Sequence, residues 1–98
     1  MSDEAYRDGL EMKRRLFGAG NERPVSHGSL ADDLLRISDE VVYGRVYTRP
    51  GLDLKTPSML TVAALTVLGR DDYLRRHLQG ALHVGVTPVE LKEILMQM

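Results

Sequence analysis

Apolar positions recur along this chain at helical spacing, in five runs separated by glycine, proline and short polar stretches. Tyr6, Leu10, Met12, Leu16 and Phe17 form a loose first stripe that stops at Gly18 and Gly20. Leu30, Leu34, Ile37, Val41 and Val42 form a second, which predicts one buried helix face and a break at Gly44. The third run, Met59–Leu68, is almost wholly apolar or small, with Thr61 and Thr66 as its polar members. Thr56-Pro57 predicts its start, because a hydroxyl can cap the first turn and proline has no amide hydrogen to leave unpaired there. Gly69 predicts its stop. A helix without a polar face needs protein on all sides, so this one predicts a core element that also meets another subunit.

A fourth helix is expected over Tyr73–Val84, capped by Asp71 or Asp72. Its core face is Leu74, Leu78, Ala81 and Leu82, and its other faces carry Arg75, Arg76, His77, Gln79 and His83. Thr87-Pro88-Val89-Glu90 is a capping box that opens a fifth, with Leu91, Ile94, Leu95 and Met98 on one side. Ser2 with Asp3 and Glu4 is a good start for the first helix, and Ser29 for the second. Residues 18–29 read as a linker between those two. No strand pattern or repeat is evident, so the class is all-α in a single domain, 1–98. The last stripe meets no stop signal, which predicts a longer native chain or a neighbouring subunit over it.

Composition narrows the function. With 98 residues, 43% hydrophobic and 28% charged, the chain is globular rather than disordered. Its net charge of −1 argues against a nucleic-acid or membrane-surface role driven by bulk charge. A helix-turn-helix reading of the final segment lacks both basic balance and a recognition helix. Having no cysteine, the chain has no thiol nucleophile, disulfide or cysteine redox centre. The N-terminus is charged from its third residue, unlike a signal peptide, and no apolar run approaches membrane-spanning length. A cytoplasmic protein is expected. His77 and His83 stand on different faces of one helix, so they do not form a metal pair, and no metal site is expected. His27 falls in the linker and reads as solvated.

Several blocks together carry a resemblance: Tyr47-Thr48-Arg49-Pro50-Gly51-Leu52, Lys55-Thr56, Leu60-Thr61-Val62-Ala63-Ala64-Leu65, His77-Leu78, Gly85-Val86-Thr87 and Glu90-Leu91-Lys92-Glu93. They resemble the γ-carboxymuconolactone decarboxylases over nearly the whole chain, with Tyr6–Leu10, Arg14-Arg15 and Gly18 similar to that family's opening helix. The resemblance implies the all-helical alkylhydroperoxidase D fold, assembled into hexamers or trimers, with a further helix after the position of Met98. Redox members of that fold carry a Glu, a CxxC pair and a His. The corresponding positions here are Ser58, Arg70, Tyr73 and His77, and only the histidine is kept. Two positions depart from the decarboxylase pattern: Pro57 stands where an Arg is usual, and His83-Val84 where Asn-Asn is common.

The implied reaction is cofactor-free decarboxylation of a carboxylated lactone in aromatic-acid breakdown. Loss of CO₂ sends electrons through the ring double bond to the lactone carbonyl oxygen, and protonation beside that carbonyl completes the step. Such a site needs a carboxylate clamp, a donor for the developing oxyanion and a proton source. His77 is the candidate donor and acid, since imidazole ordinarily titrates near neutral pH. Arg49 is the candidate clamp, because a guanidinium grips a carboxylate with two parallel bonds. A helix-capping role for Arg49, or pairing with Asp53, is the plainer alternative. Tyr47 and His83 are the remaining substrate-binding candidates, although a half-buried packing role is the plainer reading of Tyr47. The competing class is a non-redox member of the same fold, non-catalytic or differently catalytic, whose site has drifted.

Overall fold

In a computed structural model residues 3–24 and 30–98 are described, and these form helices joined by turns. The expected caps Ser2 and Ser29, and His27, lie outside the described residues. The elements are α1 (Asp3–Phe17), α2 (Leu30–Ser38), a π-helical segment (Asp39–Val46), α3 (Lys55–Leu68), α4 (Asp71–His83) and α5 (Pro88–Gln97). They fall into two compact units, Met1–Pro50 and Gly51–Met98.

In the first unit, α1 places Asp3 and Glu4 at its positive end and Arg14 and Arg15 at its negative end. Gly18, at φ 100°, closes it by donating to the Arg14 carbonyl at 2.8 Å. The face of α1 that packs on the π-helical segment buries Ala5, Gly9, Met12, Lys13, Leu16 and Phe17. The two backbones meet closely at two glycines. A Cβ on Gly9 would overlap the Asp39 carbonyl, and one on Gly44 would overlap the Ala5 carbonyl. Gly44 therefore lies inside the helical run and does not break it.

The expected buried face of α2 is not found: none of its residues is buried, and Leu34, Leu35 and Ile37 are exposed. Beyond Ser38 the bonding lengthens, and the Tyr47 amide reaches the Val42 carbonyl five residues back at 2.8 Å. That change of pitch rotates the stripe, so Asp39, Glu40 and Gly44 turn inward while Val42 and Val46 turn out. Lys13 Nζ meets Asp39 Oδ1 at 2.8 Å, and Arg36 Nε lies 3.5 Å from Glu40 Oε1. Arg36 also bonds Asp3 at 3.1 Å and stands over the Tyr6 ring at 3.9 Å. Asp39 Oδ2 and Glu40 Oε2 have no hydrogen-bond partner among the described residues.

The second unit has an apolar core of Val62, Ala81, Val86 and Leu91, with Met59, Leu74, Leu78, Val84 and Ile94 against it. Helix α3 starts at Lys55, slightly ahead of the expected cap. Asp53, and not Thr56, takes the capping role, accepting from the Thr56 amide and hydroxyl, each at 2.9 Å. Carboxylate outcompetes hydroxyl there, and those bonds hold Asp53 below its ordinary pKa. Gly69, at φ 68°, ends the helix as expected. Within one chain α3 buries only Ser58 and Val62, leaving Leu60, Val67 and Leu68 59–69% exposed. The capping box of α5 is complete: the Glu90 amide donates to Thr87 Oγ1 at 3.1 Å and the Thr87 amide to Glu90 Oε1 at 2.9 Å.

Candidate active site

The sequence candidates are divided between the two units. Tyr47 and Arg49 follow the π-helical segment in the first unit; His77 and His83 lie on α4 in the second.

Tyr47 is half-buried and stacks on Tyr43, with ring centroids 5.4 Å apart and planes 24° from parallel. Tyr43 in turn meets Phe17 edge-on at 6.1 Å. Two residues after Tyr47 the chain is pinned by the Arg49 amide, which donates to the Val46 carbonyl at 3.1 Å. Thr48 Oγ1 donates to the Gly44 carbonyl at 2.9 Å. Arg49 is exposed, and among the described residues its guanidinium makes no ion pair.

His77 does not sit on an outer face of α4, as the sequence suggested. It is buried with Gly80 and Ala81, only 8% exposed. The spacing explains this: His77 and Ala81 are one turn apart and share a face, and the small residues leave room for the ring. Burial, with the charge of neighbouring Arg76, lowers its pKa from 6.5 to about 4. The imidazole is therefore neutral at pH 7. It can donate an N–H bond, but it does not carry the spare proton expected of a general acid titrating near neutrality. His83, by contrast, is exposed in the last turn of α4.

Where redox members carry Glu, Ser58 is buried with its hydroxyl donated to the Leu54 carbonyl at 2.9 Å. At the CxxC positions the Arg70 guanidinium lies 5.0 Å from the centre of the Tyr73 ring. Lys55, beside Pro57, reaches Glu90 Oε1 at 3.5 Å. An apolar groove of about 610 Å³ runs along α4 and α5, lined by Leu78, Leu82, Pro88, Leu91, Lys92, Leu95 and Met96. It has Lys92 as its one charged wall residue and excludes the histidines. Among the described residues no three His, Cys, Asp or Glu side chains are placed to hold a metal, and no helix is long and apolar enough to cross a membrane.

The buried Lys13–Asp39–Glu40 group was missed from sequence. A signal was present: Lys13 falls three residues from Leu10 and from Leu16, and so lies within the apolar stripe of α1.

Five helices and no strand among the described residues, with a buried neutral histidine on α4, fit a small all-α enzyme without thiol chemistry. The sequence pattern of the "Carboxymuconolactone decarboxylase family" matches residues 32–98, and the chain belongs to that family. A 4-carboxymuconolactone decarboxylase of Acinetobacter baylyi is 36% identical over 98% of this chain and 74% of its own length. A nitrosuccinic acid decarboxylase of Metarhizium robertsii is 32% identical over 98% of this chain and 75% of its own. An uncharacterized 15.0 kDa protein of Paracoccus denitrificans is 39% identical over 60% of this chain and 46% of its own. Family and relatives together make the chain a decarboxylase, a carboxy-lyase.

Proposed function

We propose that the chain decarboxylates 4-carboxymuconolactone or a closely related carboxylated lactone, as a step in aromatic-compound (β-ketoadipate) degradation. A lactone carbonyl conjugated to a double bond and a nitro group are both electron sinks ending in oxygen. A substrate of either kind stabilises the carbanion left by CO₂, so the protein needs no cofactor to do so. What remains is to bind the carboxylates and to stabilise charge on that oxygen. Arg49 is assigned the carboxylate clamp, with Tyr47 and His83 as further polar contacts. His77 is assigned the oxyanion donor. A neutral imidazole suits that task, because in a buried setting its N–H dipole acts with little solvent screening. It is too weak an acid to surrender that proton near pH 7, so the proton that replaces CO₂ comes from solvent in this reading. The protein is taken to work as a cytoplasmic hexamer or trimer.

The observation that carries the reading is the buried, neutral His77 in a chain 36% identical to a 4-carboxymuconolactone decarboxylase. The test is CO₂ release from 4-carboxymuconolactone, compared with release from nitrosuccinate. His77→Ala should lower kcat at least ~10²-fold, the scale of losing one oxyanion donor, and His77→Gln should restore part of it. Unchanged turnover in His77→Ala removes the histidine from the mechanism. Release from nitrosuccinate alone replaces the substrate, and release from neither favours a fold kept without this chemistry.

A further inference from the structure

The first unit buries a lysine that the proposed chemistry does not use. Lys13 is 5% exposed and its ammonium has three neighbours: Asp39 Oδ1 at 2.8 Å, the Arg23 carbonyl at 3.3 Å, and the Tyr43 ring, whose centre is 5.6 Å away. The last distance is within cation–π range. Tyr43 is the middle member of the Phe17–Tyr43–Tyr47 series. From Tyr47 the chain passes through Thr48, tied back to Gly44, to Arg49, tied back to Val46. A buried charge is thus joined to the exposed arginine by contacts within one compact unit.

We infer that Lys13 and Tyr43 are positioning residues for the carboxylate clamp: the buried ammonium orients Tyr43, the Tyr43–Tyr47 stack fixes the exit of the π-helical segment, and that exit presents Arg49. This rests on the assignment of Arg49 under the proposed function. The π pitch belongs to the device. Bonding to the fifth residue back brings positions four apart closer to one line than an α-helix does, and Tyr43 and Tyr47 are four apart. The stack joins Tyr43 in the segment to Tyr47 at its C-terminal cap, and the ion pair with Asp39 ties the segment's start to α1. Neither positioning residue touches substrate. Both act through Arg49, and so on binding rather than on the chemical step.

Kinetics and spectroscopy test this together, with 4-carboxymuconolactone as substrate. Lys13→Met alone strands the buried Asp39 and is a poor folding risk, so Lys13→Met/Asp39→Leu is used, replacing both charges with apolar groups. Tyr43→Leu removes the middle ring and Tyr43→Phe keeps it. Ring–ring and cation–π contacts of this kind are each worth a few-fold to about tenfold in an equilibrium, so Tyr43→Leu and the double variant should each raise KM about two- to tenfold with kcat held. Tyr43→Phe should stay near the parent value. The chain has no tryptophan and four tyrosines, so near-ultraviolet circular dichroism reports on the stack, and the double variant should change it while the far-ultraviolet helical signal persists. Arg49→Ala is the internal reference. If it raises KM and the other variants do not, the positioning role is overturned and the clamp stands. If Arg49→Ala leaves KM unchanged, the clamp and the positioning role fall together. A fall in kcat without a change in KM, or an unaltered near-ultraviolet spectrum in the double variant, also overturns it.

Discussion

The two halves of this chain differ in what they bury beside their apolar side chains. The first packs two helices backbone to backbone through Gly9 and Gly44 and encloses an ammonium and two carboxylates. The second encloses a small aliphatic core with one titratable ring, His77, set into it. A buried charge holds its place only while its partner remains, whereas an aliphatic core tolerates change in proportion to the volume lost. The first half is therefore brittle and specific. The second is graded, and its sensitive point is protonation of one imidazole.

The sharpest way to break this contrast is to remove one partner of the buried pair. Lys13→Met leaves Asp39 charged and enclosed, and should cost about 3–5 kcal/mol of stability, while the double change with Asp39→Leu should recover most of it. Chemical denaturation of both at one protein concentration checks this. Equal losses would mean that packing, and not charge, holds the first half together.

The second half should instead yield to acid. In the folded chain His77 titrates near 4, below its ordinary 6.5, so between those values the unfolded chain binds the extra proton and the folded chain does not. Stability is accordingly full above pH 6.5 and is lost as pH falls towards 4, by about 3 kcal/mol for a shift of this size. His77→Gln should remove that part of the pH dependence. A variant whose stability tracks the parent across this window would show that the ring is protonated at little cost.

Glycine substitutions sharpen the contrast on a smaller scale. Gly44→Ala drives a methyl into the Ala5 carbonyl and should cost about 2–3 kcal/mol, since neither backbone can move aside alone. Gly51→Ala meets nothing within 4 Å and should be nearly neutral. Thermal melts of the pair separate a packing glycine from one in open space.

The same contrast explains what could be read from the sequence. Helix-forming runs and their ends were legible where local chemistry decides them. Gly18 and Gly69 stop their helices, and Thr87-Pro88-Val89-Glu90 starts one. The change to π pitch after Ser38 was not legible in the local residues; in that segment Asp39 and Gly44 meet Gly9 and Ala5 of α1 backbone to backbone. The aliphatic stripe of Ile37, Val41 and Val42 therefore suggested a buried face where the chain buries two acids. His77 was singled out as a candidate by resemblance, but its surroundings were misjudged. A histidine among Arg75, Arg76 and Gln79 looks solvated until Gly80 and Ala81, on its own side of α4, are seen to admit it to the interior. The exposed Arg49 was legible as an arginine ahead of Pro-Gly, whereas the aromatic stack behind it depends on a pitch the sequence does not announce.

The smallest expected effect concerns a purely local device, and it bounds the others. The Thr87–Glu90 box satisfies two amides that would otherwise lack partners at the start of α5, and its bonds hold the Glu90 carboxyl below its ordinary pKa. Thr87→Ala removes the hydroxyl acceptor and should cost about 1 kcal/mol. The cost stays low because Thr87 is exposed, so water can reach the freed amide, and Leu91 still anchors the helix in the core. Thr87→Ser, which keeps the oxygen, should recover nearly all of the loss in denaturant titration. A loss comparable to that of Lys13→Met would mean that α5 is held mainly by its first turn, and the graded, core-based account of the second half would then fail.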